Sequence, residues 1–400
     1  MRYPRRRTSE NGVTLPLPAP GVHILAELLQ SENTPRLFGT GEGTLHERIV
    51  LATDAESGLQ TIIALHNTVR GPAFGGCRYW SYISSMDALV DAQRLSQGMA
   101  YKNALADLPF GGGKAVILRH AWQTHRENLF RAFGRAVESL DGQYITAEDV
   151  GTSVQDMRWA QAETRYISGM PRENGFGGNP SPMTAYGVFV GIEAVAQQVL
   201  SRSRLTGMSV AVQGLGAVGW DLCARLNSAG AKLIVTDIDA AKVASAQLQF
   251  GAQAVPPTEI VRVKADIFAP CALGATITPA VAAGCNFRII AGGANNQLAS
   301  LEDGDTLQQR GIFYVPDFLI NAGGIISCAR EYLGGSSEDA VIAEIGAIRE
   351  RVFELAERVA RTGQAPARAA VSWAQEKLVP TRTSTGSDVA PVALADRSPV

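Results

Sequence analysis

One stretch limits the possible folds more than any other: MSVAVQGLGAVGWDLCARLNSAGAKLIVTDID, Met208 to Asp239. An apolar run, Ser209 to Gln213, leads into Gly214-x-Gly216-x-x-Gly219. Helical spacing then continues to about Ala229, and a second apolar run, KLIVT, stops at Asp237. Three glycines at that spacing say little alone. Framed by strand, helix, strand and a terminal acid, they specify a βαβ unit that binds a dinucleotide. Gly214 makes the tight turn, Gly216 admits a pyrophosphate to the backbone, and Gly219 lets helix pack on strand. Ala217 and Val218 open the helix, whose unpaired N–H groups and positive dipole end suit phosphate. Asp237 would accept hydrogen bonds from both ribose hydroxyls and repel a 2′-phosphate. NAD is therefore expected over NADP, with Ile238 counted among the cofactor residues.

The rest of the chain alternates strand-like and helix-like patterns, which makes it an α/β protein. LQTIIALHNTV (Leu59 to Val69) is β-rich, and SMDALVDAQRLSQGMAYKNAL carries apolar residues at helical spacing. KAVIL reads as a buried strand, and NLFRAFGRAVESL and TAYGVFVGIEAVAQQVL as helices. GGNPSP (Gly177 to Pro182) cannot continue a helix and is expected to be a hinge between two lobes. ADIFAPCALGATIT, FRIIAGGANNQL and GIFYVPDFLINAGG each run from a strand into a Gly/Asn/Pro-rich loop. Ligands in open α/β sheets sit beyond the carboxyl ends of strands. That places Ala269 to Cys271, Gly292 to Asn296, and Asn321 to Gly324 around one crevice, with Cys271 and Ala272 counted among the cofactor residues.

Formal net charge is -2, so no general attraction to nucleic acid or anionic membrane is expected. Five cysteines form no CxxC pair, and five histidines are scattered, so no metal centre is expected. Free thiols fit a reducing, cytoplasmic setting. Each apolar stretch looks interrupted by charge, Gly or Pro before the ~18 residues a membrane span needs. Arg5 to Arg7 precede a Pro-rich run too broken for a signal-peptide core. The first 20 or so residues read as a mobile arm and the last 20 or so as a flexible tail.

A dinucleotide unit implies redox chemistry; the upstream half must supply the substrate site. PFGGGKAVIL (Pro109 to Leu118) is not a phosphate loop, since Leu108 stands where a glycine is needed and Ala115 follows Lys114 instead of Ser or Thr. Its glycines read as a loop that thins the backbone around Lys114. Lys102, in GMAYKNAL, lies at a helix end. Either lysine could be an ordinary surface residue. As a buried pair they would repel, and both effects lower a lysine pKa. One could then act as neutral general base while the other holds a carboxylate. Asp149, in YITAEDVGTS, could accept from an ammonium or cap a helix. GPAFGGCRYW (Gly71 to Trp80) is a glycine turn suited to a cleft wall.

These stretches, in order, resemble the glutamate/leucine/phenylalanine/valine family of amino acid dehydrogenases. The carriers are GPAFGGCRYW, DAQRLSQGMAYKNALADLPFGGGKAVI, AEDVGTSVQDM, GGNPSPMTAYGVF, VAVQGLGAVG, VTDID, DIFAPCALGATI, AGGANNQL and PDFLINAGGII, spanning about Gln60 to Leu333. The resemblance implies a two-lobed α/β fold: a substrate-binding and oligomerisation domain (1–170) and a Rossmann-type NAD-binding domain (171–345). Helices over 346–380 would pack back toward the first domain, followed by a tail at 381–400. It implies that Lys102 holds the substrate α-carboxylate, Lys114 is the catalytic base, and Asp149 contacts the amino group and moves protons. Asn295 would lie near substrate and nicotinamide, Thr184 near the nicotinamide, and Gly75 and Gly76 at the carboxylate end. Phe74, Ala147, Ile325 and Cys328 would line the side-chain pocket.

The implied reaction is NAD-dependent oxidative deamination of an L-amino acid to a 2-oxo acid and ammonia, and its reverse, in a homo-oligomer. GGNPSPMTAYG is closest to the leucine branch, which favours leucine, valine or isoleucine. GGCR and AREYLGG lean toward the phenylalanine branch, so phenylalanine or tryptophan is the alternative. A hydroxy-acid dehydrogenase would need a His–acid pair near the site motifs, and no histidine lies there. A non-catalytic NAD-binding sensor or assembly protein would keep the fingerprint without needing the lysine pair.

Overall fold

The computed structural model describes residues 23–29 (backbone only), 45–171, 177–272 and 274–379. The expected N-terminal arm, the C-terminal tail and most of the segment before Gln60 lie outside them. The first lobe runs β1 (His23–Leu29), β2 (Arg48–Asp54), β3 (Leu59–Asn67), β4 (Ala73–Phe74), β5 (Cys77–Trp80), α1 (Ser85–Leu105), β6 (Gly111–Leu118), α2 (Arg126–Glu138), β7 (Tyr144–Ile145) and α3 (Val154–Gln161). Its sheet has the order β1-β2-β3-β6-β4-β7, with β5 also paired to β6. β2, β3 and β6 are antiparallel neighbours, whereas β4 and β5 run parallel to β6. β6 is buried along its whole length, as a strand with helices or strands on every side must be.

The glycines before Lys114 form no loop. Gly111 to Gly113 are the first three residues of β6. A Cβ on Gly112 would lie 2.1 Å from the Ala100 backbone nitrogen. The glycines therefore let α1 settle directly on the sheet, and they bring the two lysine-bearing elements together rather than exposing backbone to solvent.

The second lobe begins with α4 (Ser181–Leu200), after the GGNP turn. It continues β8 (Ser209–Gln213), α5 (Ala217–Ser228), β9 (Lys232–Thr236), α6 (Ala240–Phe250), β10 (Gln253–Ala254), β11 (Ile267–Pro270), α7 (Pro279–Gly284), β12 (Ile289–Ile290), α8 (Leu301–Gln309) and β13 (Phe313–Tyr314). The sheet order is β10-β9-β8-β11-β12-β13, all parallel. Counted from β8 as the first strand, this is the doubly wound dinucleotide-binding order. The chain reverses direction across the sheet between β8 and β11, so the loops after those two strands open one crevice.

α4 departs from the expectation about apolar runs. By length and composition it is apolar enough to cross a membrane, because its glycines do not interrupt apolar character. It is half buried and packs against α5, as the core helix of a folded lobe does. The chain ends with α9 (Asp317–Ile320), α10 (Gly323–Leu333), α11 (Glu338–Gly346), α12 (Ile348–Thr362) and α13 (Pro366–Leu378). α13 returns to α1 of the first lobe, where Lys377 pairs with Asp107 and Gln375 bonds Tyr101.

Candidate active site

α1 and β6 deliver the two lysines. Lys102 sits in the last turn of α1, and the next residue, Asn103, donates to the carbonyls of Phe74 and Gly111. That clasp fixes the helix end against β4 and β6. Both lysines are buried. Lys114 Nζ lies 3.0 Å from Asp149 Oδ2. Burial lowers the Lys114 pKa, the Arg78 guanidinium lowers it further, and Asp149 opposes both. Burial brings Lys102 down to about 8, with Asp317 resisting and Lys114 assisting. Burial thus acts on both lysines as expected, and the repulsion between them appears at Lys102. The strongest cationic neighbour of Lys114 is Arg78, which lies in the quoted glycine-turn motif but was assigned no role.

Asp149 caps no helix. Ser153 caps α3 through a capping box with Asp156, leaving the Asp149 carboxylate turned toward the cations. Burial would raise its pKa, but Lys114 and Arg78 outweigh that and hold it down at about 2. Its neighbour Glu148 is shifted upward by burial, then by Asp156 and Asp149.

Gly75 and Gly76 lie on the same floor. A Cβ on Gly75 would meet the Gly113 carbonyl at 1.9 Å, and one on Gly76 would come within 2.9 Å of Asp149 Cβ. The buried Tyr144 hydroxyl donates at 2.8 and 3.1 Å to the carbonyls of these two glycines.

The second lobe completes the cleft. Lys102 Nζ donates to Asn295 Oδ1 at 3.2 Å. Asn321 Nδ2 donates to the same oxygen at 2.8 Å and to Gly293 O at 3.2 Å. The amide of Asn295 is thereby oriented by a residue to which sequence reasoning gave a place but no role. Asp317 lies beneath, accepting from Asn296 N at 2.8 Å and from the Tyr314 hydroxyl at 3.2 Å.

The four residues expected to line the side-chain pocket lie in or against one apolar cluster. A Cβ on Gly169 would lie 3.7 Å from Cys328 Sγ and 3.9 Å from Ala147 Cβ, so these three small residues surround one space. Ile325 is half-buried on α10. Phe74 is fully buried in the same apolar cluster as Ala147 and Cys328, edge-to-face with Phe110 at 5.0 Å and beside Tyr332 at 6.1 Å.

The dinucleotide residues assemble at the crevice. Gly214 and Gly219 are close-packed: a Cβ on Gly214 would lie 2.8 Å from Ala272 N, and one on Gly219 would lie 2.0 Å from the Gly214 carbonyl oxygen and 3.2 Å from Cys271 Cβ. A Cβ on Gly216 would meet nothing within 4 Å. The space above it is open at the N-cap of α5, and no side chain among the described residues caps that end. Ala217 and Val218 form the first turn, and Val218 also nears Gly293. Asp237 accepts from Leu215 N at 2.6 Å and Asp239 N at 2.9 Å, so the acid is fixed to the glycine loop it serves. Ile238, beside it, is 96% exposed. Thr184 donates to the Pro180 carbonyl and abuts Gly324, at the edge of the cleft between α4 and α10. An open N–H cradle, a close-approach glycine and an anchored acid fit a dinucleotide.

Comparison with known proteins agrees with this geometry. Residues 46–166 match the family model described as Glu/Leu/Phe/Val dehydrogenase, dimerisation domain. Residues 235–386 match Glutamate/Leucine/Phenylalanine/Valine dehydrogenase. The leucine dehydrogenase of Geobacillus stearothermophilus is 49% identical over 80% of this chain and 88% of its own. The phenylalanine dehydrogenase of Lysinibacillus sphaericus is 43% identical over 73% of this chain and 78% of its own. The crystal structure of L-tryptophan dehydrogenase from Nostoc punctiforme superposes with a TM-score of 0.70 at 39% identity, covering 83% of this chain and 96% of that one.

Proposed function

The chain belongs to the glutamate/leucine/phenylalanine/valine dehydrogenase family and is an amino acid dehydrogenase, and we propose that it deaminates branched aliphatic L-amino acids with NAD. The observation that carries this reading is the buried Lys102 and Lys114 with the half-buried Asp149, facing Asn295 beside the glycine loop. Members of the family use a nicotinamide cofactor, and when bound it supplies the hydride acceptor. Gly214, Gly216 and Gly219 with the α5 N-terminus would hold its phosphates, and Asp237 its ribose. Asp237 bears a negative charge where a 2′-phosphate would lie, which supports NAD.

The chain's own groups do the rest. Lys102 holds the α-carboxylate with the help of Asn295, and the pair joins the lobes around the substrate. Lys114 enters as a neutral amine and takes a proton from the water that attacks the imine carbon. Asp149, held ionised, receives the substrate ammonium and passes protons to and from the amino nitrogen. Closure of the lobes about the GGNP turn would exclude bulk water. A homo-oligomer is supported by the dimerisation-domain match, and a cytoplasmic location by five free cysteines.

Leucine, valine and isoleucine are the favoured substrates because the leucine dehydrogenase relative is the more similar one. Aromatic amino acids are the second reading, favoured by the small Ala147, Gly169 and Cys328, which leave pocket space. The test is a panel of twenty L-amino acids with NAD at alkaline pH, read by NADH absorbance. Turnover led by leucine, valine or isoleucine is expected. Turnover led by phenylalanine or tryptophan would transfer the assignment to the second reading, and no turnover with any of them would refute both.

A further inference from the structure

Asp149 Oδ2 accepts from two cations at once. Lys114 Nζ lies 3.0 Å away and Arg78 Nε 3.1 Å away. Arg78 is not free to leave. Its Nη1 donates to Asp91 Oδ2 at 2.8 Å, and the Tyr82 hydroxyl donates to the same Asp91 oxygen at 2.5 Å. Arg78 and Asp149 side chains are each 15% exposed, and Asp91 24%. Asp91 lies on α1, three turns before Lys102, so one helix carries both the brace for Arg78 and the carboxylate anchor. β5 holds Arg78 parallel to the lysine strand, with Cys77 paired to Ala115.

We propose that Arg78, braced by Asp91 and Tyr82, is a positioning residue that keeps the Asp149 carboxylate fixed and ionised when Lys114 gives up its proton. The role follows from the proton balance. As an ammonium, Lys114 shares Asp149 with Arg78. When its proton leaves for solvent, Lys114 becomes a neutral amine and no longer neutralises the buried carboxylate. Without a second cation that carboxylate would hold the proton on Lys114, because an isolated buried charge is costly. Guanidinium does not lose its proton in a protein, so Arg78 stays charged throughout the cycle. The groups facing Lys114 are Asp149 from the loop after β7, Arg78 and Cys77 from β5, and Asp91 and Lys102 from α1. Cys77 is buried and stays a neutral thiol. Among the other four, Arg78 is the cation that touches Asp149.

The inference rests on the amino acid dehydrogenase reading of this site. Its test compares wild type, Arg78→Gln and Arg78→Lys, using the leading amino acid from the substrate panel. Removing a cation beside a lysine raises the lysine pKa. The acid limb of the kcat/KM profile should therefore move up by about one pH unit in Arg78→Gln. Turnover below that limb should fall about tenfold, with KM for the amino acid and NADH binding little changed. Arg78→Lys should restore part of the shift. A second measurement needs no turnover: reductive ¹³C-methylation and NMR titration of the Lys114 signal, assigned with Lys114→Arg. An upward shift in Arg78→Gln supports the inference whichever substrate the enzyme takes. An unmoved Lys114 titration, or activity lost equally at every pH, would reduce Arg78 to a structural residue and overturn it. Failure of the wild type to turn over any amino acid would instead count against the proposed function alone.

Discussion

Lys102 Nζ and Asn295 Oδ1, 3.2 Å apart, join the two lobes at the point where a substrate carboxylate would sit. One partner ends the helix that packs on the first sheet. The other lies in the loop after β12 of the second. A carboxylate entering here meets a buried ammonium and an amide whose orientation is set by Asn321.

Lys102→Ala should therefore raise KM for the amino acid far more than it lowers NADH affinity. Losing a charged partner from a buried pair costs about 3 kcal/mol, roughly a hundredfold in kcat/KM. Steady-state kinetics with parallel NADH titration checks this. Asn321→Ala should act in the same direction by a smaller factor, since it only releases the Asn295 amide.

The pH profile has a definite sign. Both lysines are shifted below the ordinary value of 10.5, chiefly by burial. Deamination needs neutral Lys114 and protonated Lys102, so kcat/KM should rise as Lys114 loses its proton, at a pH lower than an exposed lysine would give, and fall as Lys102 loses its own, near the value of about 8 to which burial brings it. Asp149, at about 2, stays ionised over the whole range and should contribute no limb above pH 4. Initial rates from pH 6 to 11 test both statements.

Gly112→Ala should damage fold and activity together. Its Cβ would stand 2.1 Å from the Ala100 nitrogen, and backbone cannot swing aside like a side chain. Overpacking of this kind costs about 1–3 kcal/mol. It would also part α1 from β6, and with them Lys102 from Lys114. A lowered Tm with a larger loss in kcat/KM is expected. Gly216→Ala, facing open space, should keep Tm and weaken NADH binding, which calorimetry can measure.

Asp237→Ser should loosen the glycine loop as well as the ribose contact, because the carboxylate also receives Leu215 N. NADH affinity should fall about tenfold, the loss expected from one hydrogen bond to a charged group, and the NAD preference over NADP should narrow. Fluorescence titration with both reduced cofactors checks it.

Much of this was legible in the sequence because it depends on local spacing. The glycine fingerprint, the acid at the end of KLIVT and the apolar runs define the second sheet without reference to distant residues. Lys102, Lys114 and Asp149 could be named because each sits in a short, unusual context. What escaped depends on packing. Three glycines in a row look like a loop, and only the approach of α1 shows them to be a strand under a helix. Arg78 and Asn321 have ordinary neighbours in the chain, and their importance lies in partners 71 and 26 residues away.

The central claim is that Lys114 performs the chemistry and not the binding. The most direct test is Lys114→Ala, assayed for NADH binding by fluorescence and for turnover of the leading amino acid at its optimum pH. NADH affinity within about twofold of wild type, with turnover reduced by at least about 10²-fold, is the predicted result. Turnover close to wild type in a variant that binds NADH normally would contradict it.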